Sequence, residues 1–237
     1  MTTEERARWT PPLSVPLRAP PPGPVRAIAE YEPNAGILMR WTATSSLLPL
    51  QTEMITKVTT VDSRAKVFLV VASSAQQASA TTALSNAGAD LARVQFVIAA
   101  SDSIWMRDYG PRYVVDEAGQ LAIIDHTYNR PRPNDNLIPT ALSNAWNQPR
   151  YEIGLLHGGG NYHLFDDRAA FLTNLIFDPS EGNPSLSLAD VQARYLDYQG
   201  NLVEVTAALP QALDATRHID MWMLPASRDS VIISQYS

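Results

Sequence analysis

Four short stretches of this chain hold residues that could do chemistry. Trp105-Met106-Arg107-Asp108-Tyr109-Gly110-Pro111 packs a large aromatic, a cation and a carboxylate into four residues. That set suits a pocket for a planar cation. A carboxylate accepts a two-pronged hydrogen bond from a guanidinium, and an indole ring can stack on it. In Tyr128–Asp135 (YNRPRPND), Arg130 and Arg132 each precede a proline, which biases both toward extended backbone. Residues two apart on an extended chain point the same way. Two guanidinium forks on one side would clamp a carboxylate or a phosphate. In His157-Gly158-Gly159-Gly160-Asn161 the glycines let backbone approach a ligand closely. No lysine or Ser/Thr stands at the phosphate-loop positions, so this is not a nucleotide loop. In Arg217-His218-Ile219-Asp220-Met221-Trp222, read as a strand, His218 and Asp220 share a face as a general acid/base pair. Each stretch also has a plain structural alternative: a surface Arg107–Asp108 pair, a solvated Pro-rich loop, a tight turn, a structural His–Asp pair.

The elements that must position these residues can be read from hydrophobic period and turn chemistry. Buried strands are expected at Ile37–Trp41, Lys66–Val71 and Val94–Ala100, the last leading into the Trp105 loop. Helices are expected over Leu48–Val58, over Ala75–Ala87 before the cap glycine Gly88, and over Asn136–Trp146. Arg112–Val115 and Leu121–Ile124 read as a hairpin, and Tyr151–Leu156 and Ala169–Asn174 as strands. Ser187-Leu188-Ala189-Asp190 has the spacing of a capping box that opens a helix running to Tyr198. Val203–Thr206, Arg217–Met223 and Ser230–Ser234 read as strands. Residues 1–24, with Pro20-Pro21-Pro22, read as an extended, partly polyproline arm outside the core. The pattern of extended pair, helix, strand recurs imperfectly, and the fold class is α/β.

Composition narrows the function classes. The 237 residues suffice for one large domain or two small ones. A net charge of −6 argues against nucleic acid as the partner and suits a cationic one. No apolar run is long enough to span a membrane. The chain has no cysteine, which excludes disulfides, thiolate–metal sites and a cysteine nucleophile within it. His126, His157, His163 and His218 have no zincin-like helix spacing, so no metal site is expected. There is no GxSxG nucleophile elbow. The N-terminus lacks a signal-peptide pattern, which leaves the compartment unknown: cytoplasmic by default, secreted if processed.

Taken together, WMRDYGP (Trp105 to Pro111), TYNRPRPND (Thr127 to Asp135), GGNY (Gly159 to Tyr162), SLSLADV (Ser185 to Val191) with DYQG (Asp197 to Gly200), and HIDMW (His218 to Trp222) resemble the Porphyromonas-type peptidylarginine deiminases. These belong to the guanidine-modifying superfamily that also holds agmatine deiminases. The resemblance implies a pentein fold, a propeller of five αβ modules around a central site, of which about three would be present over residues 25–237. It implies cofactor-free hydrolysis of a guanidinium to a ureido group and ammonia. By motif, Asp108 and Asp220 would clamp the guanidinium and His218 would shuttle protons. A cysteine thiolate would attack the guanidinium carbon. Trp105, Arg107, Gly159, Gly160 and Asn161 would line the substrate site. Arg130 and Arg132 would receive the α-carboxylate of a C-terminal arginine, which agmatine lacks. Agmatine deiminases tend to carry a glutamate immediately before Gly-Gly, where this chain has Gly158, which points the same way.

The resemblance also implies departures. The family's cysteine lies beyond the span covered here, so the expectation is an N-terminal part of a deiminase domain, inactive alone, with a second chain or further segment supplying the missing blades. An agmatine deiminase or a non-catalytic guanidinium-binding remnant are the alternatives. His157-Gly158-Gly159-Gly160 and Phe165-Asp166-Asp167-Arg168 depart from the family's Gly-Gly-Asn-x-x-x-Asp-Gly pattern, which leaves Asp166 and Asp167 without an assigned role.

Overall fold

Lys66–Val71 (KVFLVV) is apolar on both faces, as a strand covered on both sides must be. In the computed structural model, which describes residues 1–13, 15–42, 46–61, 64–165 and 169–235, it is the middle strand of a parallel sheet. In chain order the elements are α1 (Thr3–Arg8), β1 (Val25–Ala27), β2 (Gly36–Arg40), α2 (Leu48–Val61), β3 (Lys66–Val71), α3 (Ser74–Asn86), β4 (Val94–Ile98), α4 (Met106–Tyr109), β5 (Arg112–Asp116), β6 (Leu121–Tyr128), α5 (Pro133–Asn136) and α6 (Ile138–Trp146). They continue with β7 (Arg150–His157), β8 (His163–Leu164), β9 (Ala169–Thr173), α7 (Leu188–Gln199), β10 (Leu202–Thr206), β11 (Met223–Pro225) and β12 (Val231–Ile233).

The chain divides into two compact units. One holds Met1–Glu32, Arg107–Pro131 and Trp146–Ser237, and the other Pro33–Met106 and Arg132–Ala145. The second unit is built on the parallel sheet β2-β3-β4. Its core is Trp41, Ile55, Val67, Leu69, Val71, Ala80, Leu84 and Val94, contributed by the sheet and by α2 and α3. α3 starts at the cap Ser73 and gives way to Gly88 at φ 79°, the left-handed stop that glycine adopts without a steric penalty.

The first unit carries the four-stranded sheet β1-β5-β6-β7 and the three-stranded sheet β10-β9-β8. β5 and β6 form the expected antiparallel hairpin, and β6 then pairs in parallel with β7. β8 and β9 are antiparallel, and β9 pairs in parallel with β10. The same module therefore occurs twice: an antiparallel pair, a connection carrying a helix, and a parallel return strand. A parallel return needs such a long crossover. α7 has its full capping box, Ser187 Oγ accepting from the Asp190 amide at 3.2 Å and Asp190 Oδ2 from the Ser187 amide at 2.8 Å. Val191 and Tyr195 of α7 join Ile153, Leu155, Ala170, Leu172 and Val203 in one buried core.

Two expectations are corrected. Within residues 1–24 the structure has a helix, α1, where an extended arm was expected. Thr2 and Glu5 form a capping box ahead of it, and the prolines begin only after it ends. Leu17 further bridges to Ile153 of β7. The strand expected over Arg217–Met223 is instead a 3₁₀ turn at Ile219–Met221, with strand only at β11. Asp166–Arg168 lie outside the described residues. No described helix is long and apolar enough to cross a membrane.

Candidate active site

Gly160 is the point on which the chemistry of the first unit converges. A Cβ built there would lie 2.5 Å from His218 Nδ1, 2.6 Å from Asp220 Oδ2 and 2.8 Å from Asp108 Oδ1. A side chain there would displace all three groups. The neighbouring Gly159 explains how the glycine loop reaches them. Its Cβ position is 2.3 Å from the Arg107 carbonyl oxygen, so only a glycine lets the loop lie against the backbone of α4.

Both oxygens of Asp108 are engaged. Oδ1 lies 3.3 Å from His218 Nδ1 and accepts from the Gly160 amide at 3.2 Å. Oδ2 accepts from the Tyr128 hydroxyl at 3.3 Å. The Asp108 carbonyl accepts from His126 Nε2 at 2.9 Å, which fixes that nitrogen as the protonated one. His126 stands where the β6–β7 register shifts between Asp125 and Thr127. Such irregularities re-aim side chains.

The two carboxyls are shifted in opposite directions. Burial pushes the Asp108 carboxyl up, but the His218 hydrogen bond and charge, the Arg130 guanidinium and the Gly160 amide together hold it below its usual range. Asp220 is pushed up to about 6, by burial first and by the like charges of Asp108 and Asp214, against the pull of His218 and Arg107. Burial, then the charge of Arg112, depresses His126 to about 3, and both also depress His157. Both imidazoles are therefore neutral. Their rings meet edge to face with centroids 5.5 Å apart. Arg112 in turn stacks 4.4 Å above the Tyr162 ring.

His218 owes its direction to the residue before it. Arg217 has φ 58°, a left-handed conformation uncommon for a side chain of its size. Two contacts hold it there. Its Nη1 pairs with Asp178 Oδ2 at 2.8 Å, and its carbonyl accepts from the Thr173 hydroxyl at 2.8 Å. That reversal is why a strand does not form. His218 and Asp220 reach one place through a tight turn instead of through strand alternation. His218 Nε2 is buried without a hydrogen-bond partner among the described residues, as is Asn129 Oδ1. Each lies 3.1 Å from the Cβ position of Gly158. With Nδ1 turned to the carboxylates of Asp108 and Asp220 and Nε2 open, such a ring could carry a proton and such carboxylates could hold a cation.

The other expected site residues divide. Arg107 is half exposed and pairs with Glu30. Asn161 spends its side chain on strand β9, accepting from the Thr173 amide at 2.9 Å and donating to the Thr173 carbonyl at 3.4 Å, so it braces the glycine loop. Arg130 is 4% exposed, and its Nη1 donates to Glu181 Oε2 at 2.9 Å and to the Asn129 carbonyl at 2.7 Å. It is not the open prong that the extended-backbone reading expects, because a buried cation requires a partner within the protein. Trp105 and Arg132 belong to the second unit. There the Trp105 ring is exposed and Arg132 Nη1 donates to Ser103 Oγ at 3.3 Å. In the same unit the fully buried Asp135 accepts from the Asp102 and Ser103 amides at 2.7 and 3.1 Å and from Ser103 Oγ at 2.6 Å, which orders the loop ahead of Trp105.

Sequence reasoning gave no role to Tyr128, Asn129 or Glu181, and weighed His126 only as a metal ligand. The first two lie inside a stretch singled out for its arginines. Nothing in the sequence marks Glu181. Among the described residues no group of three or more His, Asp or Glu could hold a metal ion.

Comparison with known proteins bears on the family and the fold. The profile of the Porphyromonas-type peptidyl-arginine deiminase family matches residues 26–237. The agmatine deiminase of Pseudomonas aeruginosa is 25% identical over 145 residues, 55% of this chain and 39% of that protein. The solved agmatine deiminase of Enterococcus faecalis superposes with a TM-score of 0.72 at 20% identity, over 87% of this chain and 60% of that one. The C. jejuni agmatine deiminase gives 0.66 at 16% identity, over 87% and 62%. These likenesses establish a shared α/β fold of the pentein type. The chain spans about half the length of the curated relatives it matches.

Proposed function

The chain belongs to the Porphyromonas-type peptidyl-arginine deiminase family, and from that premise we propose that it carries the guanidinium-binding and proton-transfer part of a hydrolase acting on C–N bonds of amidines. The observation that carries the reading is the convergence of Asp108, His218 and Asp220 on Gly160. Two carboxylates would hold the planar cation and stabilise charge that shifts during reaction. A thiolate adds to the guanidinium carbon. One terminal C–N bond breaks, and its nitrogen leaves as ammonia with a proton from His218. Water then adds to the same carbon and gives its proton to His218. The C–S bond breaks, which leaves the ureido product and regenerates the thiolate. These 237 residues contain no cysteine, so in this reading the thiolate comes from residues other than these. The architecture is read as part of a five-module propeller, about three modules of it, a reading supported by the recurring strand module.

The family's description supports a peptidyl arginine as the substrate. The second reading is agmatine, supported by the ion pair that already engages Arg130. The test is ammonia and ureido-product release from a peptide ending in arginine and from agmatine. It uses the 237 residues alone and then joined to the thiolate-bearing segment. Turnover only in the joined protein is expected. Turnover by the 237 residues alone removes the thiolate step. Guanidinium binding without turnover in the joined protein means a non-catalytic remnant.

A further inference from the structure

Asn129 Oδ1 and His218 Nε2 are buried polar atoms with no hydrogen-bond partner among the described residues. Asn129 is 1% exposed and His218 2%. Each atom lies 3.1 Å from the Cβ position of Gly158, so the two are at most twice that distance apart. Their surroundings fix both. The Asn129 backbone amide donates to the His157 carbonyl at 3.2 Å, one residue past the end of β6, which sets Asn129 beside the start of the glycine loop. Its Nδ2 donates to the Glu181 carbonyl at 2.9 Å. A carbonyl only accepts, so the Nδ2 end of the side chain is committed there, and Oδ1 is the end turned to Gly158. Asp108 Oδ1 likewise takes His218 Nδ1 at 3.3 Å, and Nε2 is the open nitrogen.

A buried acceptor left unsatisfied is costly, and such atoms are met by ordered water or by a ligand. Two hydrogen bonds through one oxygen or nitrogen atom span up to about 6 Å. The chemistry of this pair is selective. Oδ1 accepts and never donates, while Nε2 does either as its proton comes and goes. The group between them must bring an O–H or N–H to Asn129 and still face the imidazole with a second hydrogen or a lone pair. Water and ammonia do both. A carboxylate has no hydrogen to give Oδ1. Gly158 keeps the place open. Its backbone, φ −118° and ψ 128°, is one that any residue adopts, so the turn itself does not require glycine. The Cβ it lacks would press on both atoms.

We propose that Asn129 Oδ1 and His218 Nε2 form a one-molecule subsite that receives the leaving ammonia and then the attacking water, which makes Asn129 a further catalytic residue. The inference rests on the deiminase reading above and adds a residue to it. Ammonia, its C–N bond broken with a proton from His218, hydrogen-bonds to Asn129 Oδ1 and gives way to water. The water donates one hydrogen to Oδ1 and the other to Nε2, which leaves its lone pairs free for the guanidinium carbon. As the oxygen bonds to that carbon, one proton passes to His218 Nε2. The other stays on the new hydroxyl, held by Oδ1, and is released to solvent as the C–S bond breaks and the C=O bond forms.

The test has two arms. The first needs no turnover. In the 237-residue chain with ¹⁵N-labelled histidine, water-selective NOE spectra are read at the His218 ring protons. The expected result is the cross-peak of a long-lived water in the wild type, lost in Gly158→Ala, whose methyl takes its place. A wild type without that cross-peak, or one that Gly158→Ala leaves unchanged, overturns the inference. The second arm follows a single turnover in the protein joined to its thiolate-bearing segment, on a peptide ending in arginine or on agmatine, whichever is turned over. Ammonia, ureido product and protein mass are read together. In Asn129→Ala ammonia should appear in a stoichiometric burst while the covalent adduct persists. Ureido product should follow about tenfold or more slower than in the wild type, the scale of one hydrogen bond. Equal slowing of ammonia and ureido product marks a structural role and overturns the inference, as do wild-type rates. Gly158→Ala should show the same split, and it answers where Asn129→Ala fails to fold. No adduct in any form, wild type included, would end the deiminase reading, while the water cross-peak still decides whether the subsite exists.

Discussion

His218 Nδ1 lies 3.3 Å from Asp108 Oδ1, and the same oxygen takes the amide of Gly160. One carboxylate oxygen thus orients the ring, with Nε2 unpartnered among the described residues, and ties the glycine loop to the turn that carries Asp108. The ring and the carboxylate that the proposed function uses for proton transfer and cation binding are thus set by a single contact.

Asp108→Asn keeps the shape and removes the charge. In the protein joined to its thiolate-bearing segment, turnover should fall by at least about 10²-fold, the scale of losing one well-placed charge-stabilising group. Thermal melting should move little by comparison. Steady-state rates beside a melting curve check this, and near-normal turnover would refute the clamp role of Asp108.

Gly160 and Gly159 should fail in different ways when replaced by alanine. At Gly160 the new methyl meets the ends of three side chains, which can swing aside, so the chain folds but the carboxylates and the imidazole are displaced. At Gly159 the methyl meets the Arg107 backbone, which cannot move cheaply. The expected outcome is Gly160→Ala with near-wild-type melting and lost guanidinium binding, and Gly159→Ala with melting lowered by the equivalent of about 2 kcal/mol or more. Calorimetry of both variants, with a guanidinium titration of each, checks the contrast.

Asp220 should give the site an acid limb. With its carboxyl raised to about 6, it is ionised only above that pH, and below it the neutral acid loses its hold on a cation. Guanidinium affinity should therefore fall as pH drops through about 6, by up to roughly tenfold per unit. The folded form also takes up this proton at a higher pH than the unfolded chain. The group's contribution to stability is thus present in acid and lost as pH rises toward 6. Affinity measured between pH 5 and 8 in the wild type and in Asp220→Asn checks this, and an unchanged slope in the variant would sink the assignment.

Asp178 holds the strained Arg217 in place and, through the amides of Ser180 and Glu181, the segment beside Arg130. Asp178→Asn should cost about 1–2 kcal/mol and misplace His218, lowering kcat more than it raises KM. The carboxyl itself lies at about 2: burial raises it, and the Arg217 and Ser180 hydrogen bonds outweigh that. Its contribution is therefore present above about pH 4 and lost as pH falls toward 2. Acid unfolding of the wild type against the variant measures it.

Local pattern was legible in the sequence wherever the physics is local. The strands at Ile37, Lys66 and Val94, the hairpin at Arg112 and Leu121, the capping box at Ser187 and the glycine stop at Gly88 follow from period, side-chain caps and allowed φ, all of which act within a few residues. The residue types for holding a guanidinium and moving a proton were also legible, because Asp108, His218 and Asp220 sit in recognisable stretches. Only the tertiary structure decided how they meet. His218 and Asp220 come together through a left-handed Arg217 held by Asp178 and Thr173, contacts that span 39 and 44 positions. Arg130 looked open in the sequence because the carboxylate that takes it, Glu181, lies 51 positions away with no local mark. A buried charge must find its partner somewhere in the fold, and only the folded chain brings that partner within reach.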